Sequence, residues 1–110
     1  MGFGIPAALA TQLCYPEHKV VCVTGDGGFL MMVGEMATAG RLGLPVVFVV
    51  LVDRHLQLIT LKQGHQGFPC YGTPLFPAAY PPPSHYFGVP VTTAHTVSEE
   101  IGRASCRERV

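Results

Sequence analysis

Two acids in this chain stand where a carboxylate can do chemistry. Asp26 lies inside Gly25-Asp26-Gly27-Gly28, directly after the run Lys19-Val20-Val21-Cys22-Val23-Thr24. Asp53 closes a second apolar run, Val46 to Val52, 27 positions further on. Two hard oxygen ligands, completed by backbone carbonyls and water, suit an octahedral Mg²⁺ that bridges phosphates. Glycine amides at a helix start can face a phosphate. An acid inside that turn repels a bare phosphate, so the arrangement is coherent only with a divalent cation between them. Taken singly, each acid reads better as structural, Asp26 capping a helix and Asp53 starting a turn. The joint order of strand, glycine turn, helix, strand and acid favours a metal–diphosphate clamp.

Other motifs carry less. Gly2-Phe3-Gly4-Ile5-Pro6-Ala7 fits the dinucleotide pattern on paper, but no strand precedes it, and it reads as a tight helix start. At Gly25 the third position of that fingerprint is Leu30. There is no GxxxxGK[ST], which excludes a triphosphate P-loop. His18, His65, His85 and His95 fall in turns and loops without metal spacing. Glu35 lies mid-helix and reads as structural, and Met31, Met32 and Met36 as core or subunit interface.

The elements that must position the two acids follow from pattern. Gly4 to Tyr15 predicts a helix, with Pro6 in the first turn where an N–H has no partner anyway. Val20–Thr24 and Val46–Val52 are continuous apolar runs, which suit parallel strands covered on both faces. Between them, Phe29, Met32, Val33, Met36 and Ala37 follow helical spacing and predict a helix from Gly28 to Gly40. Leu30 and Met31 make its other side apolar, so burial on two sides is expected. A short helix is expected from His55 to Gln63. Seven of the ten prolines fall between Gly64 and Pro90, which predicts an irregular ordered loop or linker. Val89–Thr93 is a candidate third strand, and Val97-Ser98-Glu99-Glu100 a helix start. The alternation gives an α/β fold, a parallel sheet with helices on both faces and right-handed crossovers.

With 110 residues the chain is one domain at most. Only 13% of residues are charged, against about 25% in a typical domain, so faces meant for burial on neighbours are expected. The formal net charge is zero and no basic stripe exists, which argues against nucleic acid. No run is long enough to span a bilayer, and no charged n-region of a secretory signal opens the chain. The cysteines at 14, 22, 70 and 106 show no CxxC spacing. Cys14 and Cys22 read as reduced core residues of a cytoplasmic protein. Residues 101–110 shift in composition, holding three of the seven Lys and Arg, and read as a non-native tail translated from a sequencing adapter. The domain proper is expected over residues 1–100. The chain enters its first motif at Met1, as though cut from a longer frame.

Met1-Gly-Phe-Gly-Ile-Pro-Ala-Ala, Gly25-Asp26-Gly27 and Asp53 together resemble the diphosphate-binding domain of thiamine-diphosphate enzymes. Within them the chain is similar to the acetolactate synthase, benzoylformate decarboxylase and pyruvate decarboxylase group. The likeness covers residues 1–63, and 84–100 more loosely. It implies a partial thiamine-diphosphate-binding fold with thiamine diphosphate and Mg²⁺ as cofactors. It also implies that Asp26 and Asp53 bind the metal by side chains and His55 by its carbonyl. Gly25, Gly27 and Gly28 would contact the diphosphate by backbone, and Met1 would lie under the bent cofactor. The family's usual Asn-Asn pair is Val52-Asp53 here; Asp keeps an oxygen ligand but adds a negative charge, which tightens divalent metal and weakens the pull on diphosphate. Gln57 and Gln63 are polar candidates near the substrate.

The resemblance further implies a decarboxylase or carboligase acting on a 2-oxo acid. The activating glutamate comes from a pyrimidine-binding domain, usually of a second subunit, and has no counterpart here. The full-length protein would be a homodimer or homotetramer, FAD is possible, and the fragment alone would be inactive. Two other readings stay open: a non-catalytic α/β module that binds a nucleotide or metal, and a truncated read with no cellular product.

Overall fold

The computed structural model describes residues 1–76, 81–96 and 98. The expected helix start at 97–100, apart from Ser98, and the tail 101–110 lie outside the described residues.

Helix α1 (Gly4–Cys14) buries Ile5, Ala8, Leu9 and Gln12, the i, i+3, i+4, i+7 stripe of an amphipathic helix. It stops where Pro16 removes a donor, and Gln12 ties off the end. The Gln12 Nε2 donates to the carbonyls of Tyr15, Pro16 and His18 at 3.4, 3.3 and 3.0 Å. Cys14, expected in the core, faces outward because it falls off this stripe; Cys22 is buried as expected.

Strand β1 (Val21–Gly25) pairs in parallel with β2 (Val47–Leu51), in register from Val21 opposite Val47 to Gly25 opposite Leu51. This is the α/β arrangement with a parallel sheet. Cys22, Phe48 and Val50 share the face against the core, which contains Ile5, Ala8, Leu9, Phe29, Met36, Ala39 and Val46. Val21, Val23 and Leu51 share the opposite face and are exposed.

The helix expected from Gly28 to Gly40 is broken in two. Helix α2 (Asp26–Met31) begins two residues earlier, a 3₁₀ turn follows at Val33–Glu35, and α3 (Met36–Leu42) continues to a left-handed cap at Gly43. The break falls beside Gly34, the weakest helix former of the segment. It turns Phe29 and Met36 into one core while Met31 stays exposed, so α2 is not buried on two sides. Gly40 does not end the helix; it lets a hairpin approach, since a Cβ there would stand 2.5 Å from the Phe87 carbonyl oxygen.

That hairpin, β3 (His85–Tyr86) with β4 (Val89–Pro90), is regular structure within the segment expected to be irregular. The candidate third strand is therefore β4, paired antiparallel with β3 and not with the main sheet. His85 belongs to β3 rather than a loop. Tyr86 meets Phe29 edge to face at 5.1 Å, which fastens the hairpin to α2. Helix α4 runs Gln57–His65, two residues later than expected. Among the described residues no helix is long and apolar enough to cross a membrane.

Candidate metal and diphosphate site

The parallel register sets Gly25 beside Leu51, so the chain leaves β1 into Asp26 and β2 into Asp53 at neighbouring strand ends. A cavity of about 620 Å³ opens there. Met1, Gly25, Asp26, Gly27, Asp53 and His55 all line it, together with Gln57. Its apolar wall is built by residues such as Met31, Val52, Leu58 and Ile59. Gly28 does not line the cavity. It sits under Thr24, whose Oγ1 would be 2.9 Å from a Cβ. Gln63 is also elsewhere: its side chain bonds the Tyr71 backbone, donating to the carbonyl at 3.0 Å and accepting the N–H at 3.3 Å.

Asp26 is not a helix cap. Gly25 holds the cap position in extended conformation, and Asp26 opens the first turn as a residue only 6% exposed. Oδ1 accepts the Gly27 N–H at 2.8 Å and Oδ2 accepts the Arg54 N–H at 2.7 Å. The second bond crosses from β1 to the loop after β2 and fixes the two acid-bearing loops to each other. Both donors are neutral amides, so they orient the carboxylate without cancelling its charge. A buried carboxylate in that state favours a cation partner. Each oxygen has a second lone pair for one.

Asp53 is exposed and forms a local turn, its Oδ1 accepting the His55 N–H at 2.9 Å. Between them Arg54 adopts φ 64°, the left-handed region that a non-glycine residue rarely visits. His55 faces Pro74 in an isolated antiparallel bridge and so precedes α4 instead of starting it. Among the described residues no three His, Cys, Asp or Glu side chains cluster as a metal site. A cation at this cavity would meet oxygen donors, two carboxylates with carbonyl or water, a set whose chemistry suits Mg²⁺ and not a soft metal.

Sequence reasoning passed over three contributors. The Arg54 amide had no signal, since its role depends on a left-handed turn. Leu56 carries no polar group to mark it, yet its Cδ2 would be 3.1 Å from a Cβ on Gly27, so it closes over the glycine turn. Thr73, fully buried, sits in the proline-rich segment where no periodicity marks it.

Residues 1–105 match the family described as thiamine pyrophosphate enzyme, C-terminal TPP binding domain. The acetolactate synthase large subunit of Haemophilus influenzae is 49% identical over 59 residues, covering 54% of this chain and 10% of the relative. Acetolactate synthase isozyme 3 large subunit of Escherichia coli K12 gives the same identity and coverage. A putative thiamine pyrophosphate-containing protein of Bacillus subtilis 168, YdaP, is 39% identical over 75 residues, 68% of this chain and 13% of the relative. The chain thus spans about a tenth of the length of these curated relatives. It belongs to the thiamine pyrophosphate enzyme family, as a C-terminal TPP binding domain.

Proposed function

We propose that this domain supplies the diphosphate and Mg²⁺ half of the active site in a thiamine-diphosphate-dependent 2-oxo-acid decarboxylase or carboligase of the acetolactate synthase kind. The observation that carries the reading is the Asp26 carboxylate, buried at the end of β1 and bonded to the Arg54 amide beyond β2. Asp26 and Asp53 would hold Mg²⁺ by carboxylate oxygens and His55 by its carbonyl. Gly25 and Gly27 would contact the diphosphate through backbone and Met1 would support the cofactor from the cavity wall, while Gly28 packs under Thr24. Thiamine diphosphate supplies the nucleophilic carbon and the electron sink for loss of CO₂ from a 2-oxo acid. This chain's residues would bind and orient it, and Met31, Val52, Leu58 and Ile59 give the cavity an apolar wall. The activating acid would come from a pyrimidine-binding domain of a second subunit, within a cytoplasmic homodimer or homotetramer.

The intact protein that carries this domain, supplied with thiamine diphosphate and Mg²⁺, is expected to release CO₂ from pyruvate. Chelation with cofactor removal should abolish turnover, and Mg²⁺ with thiamine diphosphate should restore it. Turnover that survives both removals would contradict the proposal.

A further inference from the structure

We infer that the segment Cys70–Leu75 is a positioning strap that holds the Asp53–His55 loop in the geometry for the cation; this rests on the function proposed above. The strap is a short antiparallel ladder. The Leu56 N–H donates to the Thr73 carbonyl at 2.8 Å, and the Leu75 N–H donates to the Arg54 carbonyl at 2.9 Å. Those two bonds flank His55 and Pro74, which makes them the non-hydrogen-bonded pair of the ladder. In such a pair both residues turn their own N–H and C=O away from the partner strand. Pro74 therefore loses nothing by lacking an N–H. The His55 carbonyl points away from the strap, and His55 lines the cavity.

The same register fixes Arg54 on both sides. Its N–H goes to Asp26 Oδ2 at 2.7 Å and its carbonyl to Leu75. A residue at φ 64° needs such over-determination to stay there. The strap is itself anchored. Thr73 is fully buried, with its Oγ1 3.0 Å from Cys70 Sγ. Gln63 of α4 clamps the Tyr71 backbone with both ends of its amide. Leu56 and Leu75 then approach Gly27 together, at 3.1 and 3.9 Å from a Cβ placed there. Thr73, Leu75 and Gln63 touch no cation in this scheme and act through the loop they hold.

The test is Mg²⁺ affinity in the presence of thiamine diphosphate, measured by calorimetry on the intact protein, alongside the unfolding temperature of the metal-free form. Leu56 has φ −77°, which proline accepts, so Leu56→Pro removes the one N–H that reaches Thr73. Leu56→Ala keeps that N–H and loses only the side chain. Mg²⁺ binding is expected to weaken about tenfold or more in Leu56→Pro relative to Leu56→Ala, the range of an outer-shell contact, with similar metal-free unfolding temperatures. Pro74→Ala should match wild type. If Leu56→Pro does not fold, Thr73→Ala should weaken Mg²⁺ and Thr73→Ser should restore it. Equal Mg²⁺ affinity in each of these pairs overturns the strap while leaving the function intact. Absence of Mg²⁺-dependent cofactor binding in wild type overturns the function itself.

Discussion

At the scale of single residues, Asp26 and Asp53 divide the work by burial. Asp26 is held by two backbone amides and has little freedom, whereas Asp53 is exposed and its carboxylate accepts the His55 N–H within its own turn. Asp53→Asn keeps the oxygen and removes one charge. It is expected to weaken Mg²⁺ about tenfold, or about 1.4 kcal/mol, with an offsetting gain in cofactor affinity at saturating metal; a calorimetric titration of both ligands checks this. Cys22 offers a second residue-level test. Burial raises the pKa of its thiol, which stays protonated at neutral pH. Because the folded state holds the proton more tightly, this contribution to stability is full at neutral pH and is lost as pH rises through the folded pKa. Iodoacetamide with mass spectrometry should label exposed Cys14 and Cys70 well before Cys22. The sequence made both acids legible because each follows a β-branched run. It hid Arg54 and Thr73, whose parts depend on a left-handed φ and on a ladder between segments about twenty residues apart.

Among the elements, those with strong periodicity were readable and those set by tertiary contact were not. Helix α1 and the two strands fall within a residue or so of expectation, because their apolar spacing is a local property. The break between α2 and α3 was hidden, since Met32, Val33 and Met36 fit an unbroken helix equally well. Of the hairpin, β4 overlaps the candidate strand at Val89–Thr93, whereas β3 and the antiparallel pairing were hidden by the prolines around them. Gly40 shows why that hairpin matters. Gly40→Ala would press a methyl group into the Phe87 carbonyl and is expected to cost about 1–3 kcal/mol despite alanine's better helix propensity. Tyr86→Leu should lose about 1 kcal/mol by removing the edge-to-face pair with Phe29. Chemical denaturation of each variant measures both losses; a stabilised Gly40→Ala would mean the hairpin is not docked on α3.

For the whole molecule, the open face of the sheet is the main constraint. Val21, Val23 and Leu51 form an apolar surface that the low charge content already anticipated. The 110-residue chain by itself is expected to self-associate and to turn over no pyruvate, which size-exclusion chromatography and a CO₂ assay would show. In the function proposed above, Asp26 ties metal to diphosphate between two strand ends. Calorimetric titration of thiamine diphosphate into the intact protein, with and without Mg²⁺, tests it most directly in wild type and Asp26→Ala. The account predicts Mg²⁺-dependent binding in wild type and a loss of about 100-fold or more in Asp26→Ala, beyond the range of outer-shell substitutions. Equal affinity in the two proteins, or wild-type binding indifferent to Mg²⁺, would contradict it.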